Sequence, residues 1–311
     1  MNPQDYAFAV AAARTLDTQW DEQTLERIYG PKEQCLRLLQ EKGWQTEQPA
    51  EKMCQAHKEQ AWRRLMQWAP QPEAFRFLIV QNDFQNAAAA LLSKARGIDK
   101  TVWKRPCLTE PETLAQAFRE NGDALPDWLR EPGKQAEKAL QETEDGQAVL
   151  SALYKDGLAA TLALADKTGD KLLKRIAGAM VLAENYKAAY QGAMQKANEK
   201  QIASVLCPQN EIEIKSWSKA AAAGPKALAL CWRETGHTAA AKQMETKPGA
   251  AFEAWCDGLA LKTAQKANGQ IFGPGPLAAY YLQAKAEAET VYLALTAPTP
   301  GKEAKDRRRS L

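Results

Sequence analysis

Asp83 and Glu287 have the strongest claim to chemistry in this chain. Each lies in an apolar-patterned, helix-compatible stretch, three residues before an amide or a hydroxyl, Asn86 and Thr290 respectively. Two carboxylates brought into one cleft would serve as a general acid and a general base. Setting the flanking segments level adds a third position, where Leu182 and Asn185 take the corresponding places, 99 residues after Asp83 and 105 before Glu287. Leu182 has no proton to give or take, so no three-fold acid/base site results. Asn86 shares the helical face of Asp83, and a local hydrogen bond or an interhelical polar link accounts for the pair without a reaction.

Other combinations offer less. His57 and His237 are far apart, and neither adjoins a Cys or Asp pattern of the kind that marks a nucleophile's partner. The six cysteines (35, 54, 107, 207, 231 and 256) include no Cys-x-x-Cys pair, which argues against zinc and for buried free thiols in a reducing compartment. Gly273-Pro274-Gly275-Pro276 fails as a dinucleotide loop, because no strand precedes it and proline removes a donor that a phosphate would need. Nine tryptophans without interleaved basic clusters read as core and interface anchors. No catalytic residue, cofactor-binding residue or metal ligand is therefore assigned. Asp83, Asn86, Leu182, Asn185, Glu287 and Thr290 are instead equivalent positions of a structural repeat.

The elements that must position these residues are helices. Ala, Leu, Gln, Lys and Glu dominate and β-branched residues are sparse, so the class is all-α. Helices are expected over 5–15, from Asp21 to the stop at Tyr29-Gly30-Pro31, over 32–41, and between Pro49 and Pro70. The first repeat helix runs over 77–94, with a basic last turn and Gly97 beyond it. Gly122, Pro126, Pro132 and Gly133 divide 112–146 into short helices and turns. A helix or helix pair over 147–168 follows, then the second repeat helix through Ile176, Met180, Tyr186, Tyr190 and Met194. The alternation over 211–215 suggests a short strand. Pro276 suits the first position of a long final helix, ended by Pro298 and Pro300. A charged tail over 302–311 closes the chain. A period near one hundred residues is too long for a solenoid and fits three domains of one ancestry, 1–105, 106–215 and 216–311.

Composition bounds the function. The chain has 311 residues, 45% hydrophobic and 25% charged, as a soluble globular protein does. Its net charge of +3 equals that of the tail, so the folded part is near neutral and lacks the basic excess of a nucleic-acid binder. Neither a signal peptide nor a twenty-residue apolar run is apparent, so a cytoplasmic protein with no membrane span is expected.

Three stretches then point to a family. Asp5-Tyr6-Ala7-Phe8-Ala9-Val10-Ala11, Asp83-Phe84-Gln85-Asn86, and Phe272-Gly273-Pro274-Gly275-Pro276-Leu277-Ala278-Ala279-Tyr280 leading to Glu287 together resemble the C-type subunit of prokaryotic V-type (A-type) rotary ATPases. Its counterpart is the d-type subunit of the eukaryotic vacuolar ATPase. The resemblance implies a funnel of three helical domains around a pseudo-three-fold axis and a central cavity. It further implies a non-catalytic central-stalk role in ion transport: seated on the cytoplasmic face of the membrane proteolipid ring, such a protein receives the shaft subunits of the ATPase head. Leu182, Thr290 and Tyr292 depart from the family's usual carboxylate, asparagine and arginine, while Lys187 keeps a basic side chain. The competing expectation is a free-standing helical adaptor that binds a partner's helix in its cavity.

Overall fold

The computed structural model describes residues 3–16, 20–97, 102–120, 124–143, 145–209, 213–267 and 269–296, and among them every regular element is helical. The early helices start and stop where their punctuation directs. A 3₁₀ turn leads into α1 (Ala7–Leu16). α2 (Glu22–Ile28) opens on Asp21, whose carboxylate accepts from the Thr24 N–H at 2.8 Å, and closes at Tyr29 ahead of Gly30-Pro31. α3 is Lys32–Glu41, and α4 (Ala50–Trp68) lies between Pro49 and Pro70.

The first repeat helix begins later than its apolar pattern suggests. Pro72–Leu78 forms a 3₁₀ turn that buries Ala74, Phe75, Phe77 and Leu78, and α5 (Val80–Arg96) starts after it and ends on left-handed Gly97. α6 is Pro111–Arg119. Pro132 and Gly133, read from sequence as breaks, lie inside one helix, α7 (Asp127–Thr143). Proline so near the start forfeits a single bond, to the carbonyl four residues back. Glycine suits the place beside it, since a Cβ at 133 would stand 2.8 Å from the Leu125 Cδ1 and push that side chain aside.

The rest of the chain continues as α8 (Gly146–Lys167), α9 (Lys171–Met194), α10 (Glu199–Val205), α11 (Ile214–Ala222), α12 (Pro225–Glu234), α13 (Thr238–Thr246), α14 (Ala250–Gln265) and α15 (Gly275–Thr296). The expected strand is overturned where it is described: Glu213 is the residue that begins α11, and Ile214 and Lys215 are in its first turn. Residues 211 and 212 lie outside the described residues, as do Gly122, Pro298, Pro300 and the tail over 302–311. Met194, placed on the packed stripe of the second repeat helix, is 55% exposed at its end.

Two compact units result. One comprises the described residues of Met1–Pro72, Lys171–Ile176 and Thr246–Leu311; the other comprises those of Glu73–Asp170 and Ala177–Glu245. In the first, α15 packs along α4, with α14 and α1 also against it. Trp62 meets Tyr281 edge-on at 5.4 Å between ring centres, and Ala288 and Val291 close on Cys35, Leu39 and Met53. In the second, α5 packs on α6, α7 and α8, and Phe84, Leu91, Leu114, Phe118, Leu129 and Leu153 form its core.

The approach of α5 to α8 depends on Gly157. A Cβ there would lie 2.3 Å from the Gln81 Oε1 and 3.0 Å from the Phe84 Cβ. Gly157→Ala is expected to lower stability by about 2 kcal/mol through overpacking, although helix propensity alone would raise it by up to ~1 kcal/mol. Urea unfolding gives the sign, and a stabilised variant would show that the two helices part without cost. By length and mean hydropathy of 1.3, α8 also qualifies as a membrane-crossing helix. It is a packing helix here, against α5, α7 and α10, and Lys155 and Asp156 lie at its middle.

Candidate functional site

The repeat positions on α5 face a segment with no strand to pair with. Residues 104–108 connect α5 to α6, and their backbone groups need partners that secondary structure does not supply. α5 supplies them from its side chains. Asn86 acts as a backbone surrogate: its Oδ1 accepts from the Lys104 N–H at 2.7 Å, and its Nδ2 donates to the Lys104 carbonyl at 2.9 Å. One turn earlier, the Asn82 amide donates to the Pro106 carbonyl at 2.7 Å, and the Asp83 carboxylate accepts from the Leu108 N–H at 2.8 Å. Alternate residues 104, 106 and 108 are thus held by one helix face. Arg105 points away and pairs with Glu110 and Glu112 at the start of α6.

Asp83 is wholly buried, and that desolvation is the main cause raising its carboxyl from 3.8 to about 6. The donors at Leu108 and Thr109 work in the opposite direction. The Trp128 indole N–H works in that direction too, although neither it nor the buried Asp83 Oδ2 makes a hydrogen bond. Acceptor duty toward the chain's own backbone, rather than a bond to Asn86, accounts for this carboxylate.

The second repeat reproduces half of this arrangement. On α9, Asn185 accepts from the Cys207 N–H at 2.8 Å and donates to the Cys207 carbonyl at 2.9 Å, the same reciprocal pair that Asn86 makes. Each asparagine therefore holds one residue of an irregular segment shortly before a proline, Lys104 ahead of Pro106 and Cys207 ahead of Pro208. Leu182, half-buried, offers nothing at the position of Asp83. In the third repeat, the Thr290 hydroxyl donates back to the Ala286 carbonyl of its own helix at 2.8 Å. Glu287 is buried in α15, where His57 Nε2 stands 3.3 Å away and Gln283 donates at 3.3 Å. His57 itself stacks on Trp44 with ring centres 3.8 Å apart. The sequence offered no sign of this pair.

His237 belongs to another environment. Its Nδ1 is 2.6 Å from the Tyr186 hydroxyl, inside a cluster with Trp217 and Trp232. Burial pushes the thiols of Cys35 and Cys207 up to about 11 and that of Cys54 up to about 12, so they stay protonated and inert at neutral pH. Among the described residues, no three His, Cys, Asp or Glu side chains gather as metal ligands would.

The second unit also holds a cleft of about 1150 Å³ walled by α5, α8, α9 and α10. A hydrogen-bond chain ties three of these walls. Gln81 donates to the Tyr154 carbonyl at 3.2 Å, the Tyr154 hydroxyl donates to Glu184 at 2.5 Å, and Lys187 meets the other Glu184 oxygen at 2.6 Å.

A family model described as ATP synthase (C/AC39) subunit matches residues 32–297. The chain belongs to that family. No curated protein matches it. The C/AC39 match covers two of the three stretches that carried the resemblance and leaves out 5–11. As a member of the C/AC39 family, the protein is a component of an ATP synthase complex. The Asp83 Oδ1, the amides of Asn86 and Asn185 and the Thr290 hydroxyl all bond to the chain's own backbone.

Proposed function

We propose that this C/AC39 family member is the non-catalytic central-stalk coupling piece of a V-type rotary ATPase or ATP synthase. It acts on the cytoplasmic face of the membrane as a socket between the rotating shaft and the proteolipid ring. The family match over 32–297 carries the reading. Three domains of common descent, 1–105, 106–215 and 216–311, are proposed to surround a central cavity with pseudo-three-fold symmetry. The matching clamps of Asn86 on Lys104 and Asn185 on Cys207 support that descent. A torque-bearing socket needs connections that do not yield, and a clamp that fixes both backbone groups of a loop residue stiffens the link between successive helices.

Purification from native membranes tests the proposal. Recovery with both the shaft subunits and the proteolipid ring is expected. Removing the protein should abolish ATP-driven ion pumping but leave ATP hydrolysis by the head intact. Recovery with a soluble partner alone would replace the socket by a helical adaptor.

A further inference from the structure

The cleft in the second unit combines apolar and basic chemistry. Apolar residues Phe84, Leu150 and Ile202 and several alanines line it, interspersed with Gln85, Ser151 and Gln191. Its rim carries Lys104, Lys196 and Lys200, all exposed and none in an ion pair among the described residues. The two acids in the lining are already engaged. Asp145 accepts from the Gln147 and Ala148 N–H groups at the start of α8, and Glu184 is held by Lys187 and Tyr154. With Lys187 included, four lysines face two carboxylates in the lining, so the opening carries a net positive charge.

We infer that this cleft is a docking groove for an acidic amphipathic helix of a protein partner. The apolar lining residues take side chains at i, i+3, i+4 and i+7, and the lysines select Asp or Glu on the flanks of the same helix. The volume accommodates a helix of ~10 Å diameter over two to three turns. Val102, 74% exposed in the lining next to Lys104, extends the apolar contact to the mouth. Asn86 acts here as a positioning residue: by fixing both backbone groups of Lys104, it also fixes where that ammonium group starts from. The inference rests on the reading of the protein as part of an assembly, and adds to it the surface and the chemistry of its occupant.

The test uses the complex isolated from native membranes. A photo-crosslinker at position 150 is expected to attach to a peptide with helical apolar spacing and at least two acidic residues. Attachment to a peptide without acids, to lipid or to nucleic acid, or no attachment, overturns the inference. The triple variant K104E/K196E/K200E, checked for an unchanged thermal melt, is expected to release the crosslinked partner about thirtyfold more readily, at about threefold per reversed rim charge. Undiminished retention also overturns it. The two readings fail differently. If the coupling role is wrong, the wild-type protein comes away without ATPase subunits, yet a crosslinked acidic helix from another partner would still uphold the groove. If the groove is wrong, the ATPase complex stays intact with the triple variant.

Discussion

Replacing Asn185 by alanine is expected to destabilise the protein by about 3–4 kcal/mol, because it removes two hydrogen bonds and strands a buried donor and a buried acceptor. Asn185 and Cys207 are both buried, so no solvent is at hand to take over the Cys207 N–H and carbonyl. Asn86→Ala removes the same two bonds from Lys104, a residue at the surface. Water compensates part of that loss, and about 1–2 kcal/mol is expected there. Asn185→Asp is the informative control: it keeps an acceptor for the Cys207 N–H but turns a second oxygen toward the Cys207 carbonyl, so it should be no better than alanine. Urea unfolding at constant slope measures all three. An Asn185→Ala variant within about 1 kcal/mol of wild type, or a larger effect at Asn86, would mean that the clamps do not carry the stability assigned to them.

Asp83→Asn should change the pH dependence of stability more than its magnitude at any single pH. The folded-state carboxyl is raised from 3.8 to about 6, so between those values the unfolded chain releases a proton that the folded protein keeps. The folded state then binds more protons, and stability falls as pH rises through the window. Above about pH 6 the folded protein carries a buried carboxylate, at a total cost near ~3 kcal/mol for a shift of about two pH units. Asparagine keeps the acceptor for Leu108 and does not ionise. Wild type minus Asp83→Asn should therefore become less favourable by about 2 kcal/mol between about pH 4 and pH 7, while other carboxyls cancel. A pH-independent difference would show that Asp83 ionises normally in the folded protein.

Helix boundaries were legible wherever a local device sets them. Asp21, Gly30-Pro31, Pro49 and Gly97 each act through their own backbone or side chain, and α2 to α5 end where those residues require. Pro132-Gly133 misled because a tight contact with Leu125, distant from any local rule, makes a glycine useful inside α7. The equivalence of Asn86 and Asn185 was readable from spacing, but what they hold was not. Their partners are coil residues 18 and 22 positions further on, chosen by the backbone's need and not by side-chain type, so nothing in Lys104 or Cys207 advertises the bond. His57 facing Glu287 was hidden because the two lie on α4 and α15, far apart in the chain, and only the packing of those helices brings them together. The cleft was equally silent, since its lining is alanine-rich and alanine in a helix looks alike whether it faces a core or an opening.

The first unit draws its segments from widely separated parts of the chain, and this sets a timetable for synthesis. α4 is made early, yet its main covering helix, α15, is separated from it by residues 69–274. On the ribosome, the apolar side of α4 around Met53, Trp62 and Leu65 stays uncovered until the residues of α15 have been translated. The second unit, made by Glu245, can close while the first still waits. A message cut short between residues 245 and 275 would therefore yield a product with one finished half and one adhesive half, a natural substrate for chaperones and for degradation.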